Sequence, residues 1–170
     1  MNKVHGKKEC FNFIRREKTR TIIGYEFSAV DDDYATWREI YLTKKQNPTI
    51  SLNTIKTAVI EDINAQTDEK ILRGLQWRGK SVWLSSENQF NFKAAYDVAL
   101  QTGGASLPIK FKLGEDEQGN PVYHVFDTLE EFTEFHAVVI SFIQGCLNEG
   151  WERKDGINWE DYEVILNSQP

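Results

Sequence analysis

The chain has 170 residues, 40% of them apolar and 27% charged, with 20 Lys and Arg against 26 Asp and Glu for a net charge of −6. With 4 Pro and 11 Gly, that composition excludes a collagenous, low-complexity or generally disordered chain, because the apolar content offsets the entropy lost on folding. The length suits one domain, or a domain with an appendage. No apolar run reaches the roughly 20 residues of a membrane helix, and Cys10 and Cys146 are too few for a disulfide framework.

Charge is unevenly spread. Residues 1–20 hold Lys3, Lys7, Lys8, Arg15, Arg16, Lys18 and Arg20 against Glu9 and Glu17, so this stretch is net +5 and the other 150 residues carry −11. A basic arm on an acidic body suits an acidic partner surface, a neighbouring copy or nucleic acid, while a solvated hairpin with charged outward faces is the first reading of such a terminus. A nucleic-acid role is disfavoured, since the arm shows no binding motif and the body repels phosphate.

Near the start, Glu9–Arg15 and Thr21–Phe27 read as two strands, rich in aromatic and β-branched residues and joined by a charged turn at Arg16–Arg20. Asp31, Asp32 and Asp33 then offer N-caps for a short helix from about Tyr34 to Lys44. Asn47-Pro48 breaks the chain. From Ser51 to about Asn64, Leu52, Ile55, Val59, Ile60 and Ile63 share a helical face, and Thr67–Lys70 restarts a turn that stops at Gly74. Leu75-Gln76-Trp77 and Ser81–Leu84 flank Arg78-Gly79-Lys80 as a hairpin. Ser86 to Gln89 has capping-box spacing and opens a helix that closes at Gly103-Gly104.

A second hairpin comes next, with Pro108–Leu113 and Val122–Phe126 around an acidic turn from Gly114 to Asn120. Asp127 to Glu130 again has capping-box spacing, before a helix burying Leu129, Phe132, Val139, Ile143 and Cys146. Trp151 to Pro170 reads as a tail with no assigned place.

The string Gly74-Leu75-Gln76-Trp77-Arg78-Gly79-Lys80-Ser81 matches G-x-x-x-x-G-K-[ST] letter for letter. A phosphate cradle must follow a buried strand and open into a helix, whose N-terminal N–H groups hold the anion. Here a helical segment precedes Gly74 and a strand follows Lys80, so a tight turn is the better reading. His5, His124 and His136 are dispersed without metal-ligand spacing. The loop Gly114–Asn120 lacks carboxylates at the first and twelfth positions of a calcium loop. Cys146 falls on an apolar helix face, and Glu130, Glu131 and Glu134 sit where a helix dipole favours acids. These readings point away from an enzyme, with no catalytic residue, cofactor or metal assigned.

From about Ile55 to Lys154 the pattern resembles an uncharacterised domain family found in tailed-bacteriophage proteins, often encoded beside or fused to tail and tail-fibre components. The matching residues are Ile60-Glu61-Asp62-Ile63-Asn64-Ala65-Gln66-Thr67, Ile71, Gly74, Leu75-Gln76-Trp77-Arg78-Gly79, Leu84-Ser85, Gln89, Asn91, Pro108, the helix capped at Asp127, and Phe135. In that family the Gly79 region is the tight turn of a hairpin, and no catalytic residue is known to carry over. The long acidic hairpin at Pro108–Phe126 and the first 48 residues depart from it.

The expected fold is therefore α+β, a small compact domain of helices packed on two β-hairpins, with an N-terminal β-hairpin and short-helix extension. The expected division is a basic arm at 1–48, a core at 49–150 and a tail at 151–170. The resemblance implies a non-enzymatic bacteriophage virion structural protein of the tail, tail fibre or fibre attachment, with a tail-fibre assembly chaperone or host-glycan-binding module as the alternative. Nucleotide binding through Gly74–Ser81 ranks below both. Partners would be other virion proteins and copies of the chain itself, with no membrane. The site would be the virion, after assembly in the host cytoplasm, since Met1–His5 has no secretion-signal character. Lys7, Lys8, Arg15, Arg16, Trp37, Trp151 and Trp159 are the expected interface residues, on the charge split and on the anchoring habit of tryptophan.

Overall fold

The computed structural model describes residues 2–43 and 50–168, so the expected boundary at Asn47-Pro48 lies outside the described residues. The architecture is α+β, with helices and small antiparallel sheets. The chain divides into two compact units, and the division differs from the expected one. Residues up to 64 join residues from 151 onward, while 65–150 form the other unit.

In the first unit, β1 (Asn2–Lys7), β2 (Ile14–Arg16), β3 (Arg20–Ala29) and β4 (Tyr34–Thr43) form an antiparallel sheet in the order β1-β4-β3-β2. The expected helix at 34–44 is strand β4. Its aromatic and β-branched content favours a pleated strand, and the buried residues Ala35, Trp37 and Glu39 fall at alternate positions. Asp31 does accept two backbone N–H groups, from Asp33 at 2.9 Å and Tyr34 at 2.8 Å, but it does so in the turn between β3 and β4. The first expected strand shrinks to Ile14–Arg16, behind a 3-10 turn at Lys8–Cys10. Its approach to β3 requires Gly24, whose missing side chain leaves room for the Asn12 backbone and the Phe11 ring.

Helix α1 (Leu52–Arg73) begins in this unit and runs without the expected interruption at Thr67. Ile55, Val59 and Ile63, four residues apart, join Ile23, Tyr25, Ile14 and Tyr162 in a core. The expected tail is structured. Helix α3 (Leu129–Asp155) ends here, α4 (Glu160–Ser168) comes after it, and the Tyr162 hydroxyl donates to the Gly24 carbonyl at 2.8 Å.

In the second unit, β5 (Leu75–Trp77) pairs with β6 (Lys80–Val82), and β7 (Ile109–Glu115) pairs with β8 (Pro121–Phe126). Helix α2 (Ser86–Gln101) has its cap one residue before the expected one, because Ser85 is the acceptor for the Asn88 N–H at 3.2 Å. For α3 the cap is Thr128 rather than Asp127, taking the Glu131 N–H at 3.2 Å. Trp77, Phe92, Phe126, Phe132 and Phe135 form an aromatic core, with edge-to-face and stacked pairs such as Phe92–Phe135 at 5.2 Å and Phe126–Phe132 at 4.6 Å.

Candidate functional site

The Gly74–Ser81 string is the first candidate, and its backbone decides it. Arg78 and Gly79 adopt φ +47° and +73°, two consecutive left-handed residues of a tight hairpin turn, while Trp77 pairs with Lys80 across it. Lys80 therefore begins a strand, and no helix opens directly from it as a phosphate cradle requires.

Both cations of the string bond within their own unit. Arg78 spreads its two terminal nitrogens over Glu131 at 2.5 Å and Glu134 at 2.7 Å. Lys80 donates to the Tyr123 carbonyl at 3.3 Å and to His124 Nδ1 at 3.0 Å. The Lys80 ammonium meets one ring nitrogen of His124, and the other, Nε2, faces Glu131 at 3.2 Å. This network ties β5, β6 and β8 to the first turns of α3. Trp77 packs edge-on to His124 at 4.8 Å beneath the Arg78 guanidinium, and its indole N–H is buried without a hydrogen-bond partner.

The second candidate is a cavity of about 520 Å³ in the first unit, lined by Phe13, Phe27, Ser28, Asn158, Asp161 and others. At its wall, Glu26 sits at φ +53° in a bulge where the β3–β4 register shifts between Tyr25 and Ser28. Arg38 Nε donates to its carboxylate at 2.9 Å and Arg153 Nε at 2.7 Å. Two guanidiniums thus hold one carboxylate that solvent still reaches, and the bulge aims it there.

The third candidate is the face shared by α2 and α3 in the second unit. Gln89, Phe92, Lys93, His136, Val139 and Ile143 line a cleft of about 220 Å³ between them, with Phe90 and Ile140 also in its wall. Phe90 is 70% exposed and Ile140 52% exposed. His136 stacks on Tyr96 at 4.2 Å, and partial burial, with the charge of Lys93, lowers its pKa below the ordinary value.

The expected interface residues do not gather into one surface. Trp37 is buried, which corrects its assignment as an anchor. Its ring lies over Gly6 and against Phe11, and its indole N–H donates to Glu39 at 3.1 Å. Lys7 is exposed 3.9 Å from Glu9, and the Lys8 N–H bonds Asp33. Arg15 lies 3.6 Å from Glu17 and 3.9 Å from Glu39, and Arg16 is exposed. Trp151 is 50% exposed, whereas Trp159 is half-buried against Tyr162 at 5.7 Å. Sequence reasoning missed Phe90 and Ile140 because a single apolar residue on an amphipathic helix reads as core. The signal available was the absence of Asp, Glu, Lys and Arg from Phe135 to Asn148.

Asp116 closes its own turn, accepting backbone N–H groups from Gln118 at 3.0 Å and Asn120 at 2.8 Å. Those bonds, with Asn120 first, hold its carboxyl below the usual range. Cys10 is exposed and Cys146 buried, and burial pushes the Cys146 thiol up. No group of three His, Cys, Asp or Glu among the described residues could hold a metal ion. No helix among them is long and apolar enough to cross a membrane.

No curated protein and no solved structure matches the chain. The family model of a domain of unknown function, DUF4376, matches residues 54–168, well over half of its length and including α4. The chain belongs to the DUF4376 family.

Proposed function

We propose that this chain is a non-enzymatic structural protein of bacteriophage virions, in the tail, a tail fibre or a fibre attachment, and that it works through protein–protein contacts. The observation that carries the reading is the α2–α3 face, where Phe90 and Ile140 stand in solvent beside an apolar cleft. Exposed apolar groups around a concave patch are the mark of a contact surface. The resemblance of Ile60–Thr67 and Leu75–Gly79 to tailed-phage proteins supplies the setting. The charged groups of the P-loop-like string, bonded within their own unit, support a fastening role for that hairpin.

Mass spectrometry of purified particles tests this. The chain should be present at fixed stoichiometry, and its absence from mature particles would favour an assembly chaperone instead. A host-glycan-binding reading has one observation in its favour, the cavity walled by Phe13 and Phe27 with Ser28, Asn158 and Asp161 at hand. Titration of the chain with neutral hexoses, alongside Phe27→Ala, separates it from the first reading.

A further inference from the structure

The α2–α3 face has the properties required of a surface that meets its own copy. A two-fold contact sets a patch against itself, so any net charge on it repels. For a chain of net charge −6, that condition is restrictive.

This face satisfies it from both helices. Along α3, Phe135 to Asn148 contains no Asp, Glu, Lys or Arg, and Ala137, Ile140, Ser141, Gln144, Gly145 and Asn148 are all exposed. Along α2, between Gln89 and Gln101, the charged residues are Lys93 and Asp97. They neutralise each other, with the Lys93 ammonium 3.0 Å and 2.8 Å from the two Asp97 oxygens. His136 at the cleft is held toward its neutral form by burial and by Lys93.

The face also carries both halves of a self-fitting contact. Phe90 and Ile140 project, and the cleft beside them is concave and apolar. A two-fold axis lets the projecting side chains of each copy enter the cleft of the other, which removes both from water at once.

We propose that the chain pairs with a second copy of itself through this face, with Phe90 and Ile140 of each copy in the α2–α3 cleft of the other. The inference rests on the contact-driven reading above and names the partner for the same surface.

Sedimentation equilibrium of the full chain, from micromolar to millimolar concentration, tests it. The wild-type chain should sediment as a dimer. Phe90→Ser, Ile140→Glu and Gly145→Glu should each shift it to monomer without lowering the thermal transition followed by circular dichroism. All three positions are solvent-facing, and a Cβ at Gly145 meets nothing within 4 Å, so if one variant fails to fold the other two still decide. Glu163→Lys, exposed on α4, should remain a dimer. A wild-type chain that is monomeric across the series overturns the proposal, as does a dimer that survives the three substitutions.

The particle measurement separates this from the broader reading. A monomeric chain that is still built into particles, and lost from them on Ile140→Glu, means the face docks on a different virion protein. A dimer absent from particles contradicts the virion role and leaves the pairing standing.

Discussion

Glu26 is the residue where local cost and local gain are most closely joined. A non-glycine residue at φ +53° is strained, and its carboxylate is gripped by Arg38 and Arg153. Replacing it with Ala keeps the strain and removes the carboxylate that both guanidiniums share. Glu26→Ala should lower stability by about 2 kcal/mol, read from chemical denaturation, and Glu26→Gln should recover only part of that loss. His136 gives a pH prediction. Its pKa is depressed below the ordinary 6.5 by burial, then by Lys93, with Asp97 acting in the opposite sense. The unfolded chain therefore takes up this proton more readily than the folded one. The contribution is complete above 6.5 and is lost as pH falls toward the folded value. A His136→Asn variant should show a flatter acid limb in unfolding free energy against pH, and an unchanged slope would refute the assignment. None of this was legible in the sequence, since Glu26 and His136 derive their character from side chains distant along the chain.

At the scale of elements, legibility depended on whether the signal was local. Arg78-Gly79 between two short extended segments encodes its own turn, so the hairpin was readable and the P-loop match could be set aside on context alone. A Cβ at Gly79 would meet nothing within 4 Å, so the cost of a side chain there is all backbone. Gly79→Val should destabilise the chain by about 1–2 kcal/mol, measured by denaturant unfolding. Before strand β4, three consecutive Asp residues look like helix caps. Asp31 makes the same kind of bond in a β-turn, and the conformation of residues 34–43 is decided by pairing with β1 and β3, which no window of ten residues contains. The caps of α2 and α3 were each one residue off for a similar reason, as two hydroxyls or a hydroxyl and a carboxylate stood side by side.

For the whole molecule, the last twenty residues change status most. Read as a tail, they supply Ile157, Trp159, Tyr162, Ile165 and Leu166 to the core under the four-stranded sheet. Ending the chain after Gly150 should therefore unfold the first unit, seen as loss of dispersed β-sheet amide resonances in a two-dimensional NMR spectrum. The second unit, whose aromatic core lies wholly within residues 65–150, should keep its own. This association of the two chain ends was hidden, because contact between residues more than a hundred apart leaves no periodicity to find. The exposed α2–α3 face was partly hidden too, visible only as a stretch without charge. As proposed above, this face is a protein contact in an assembled virion. Cryo-electron microscopy of the intact particle, at a resolution that shows side chains, tests it most directly. Density for the chain is expected at the tail or its fibres, with Phe90 and Ile140 covered by protein. A chain seated in the particle with both residues in solvent, or no density for it at all, would contradict it.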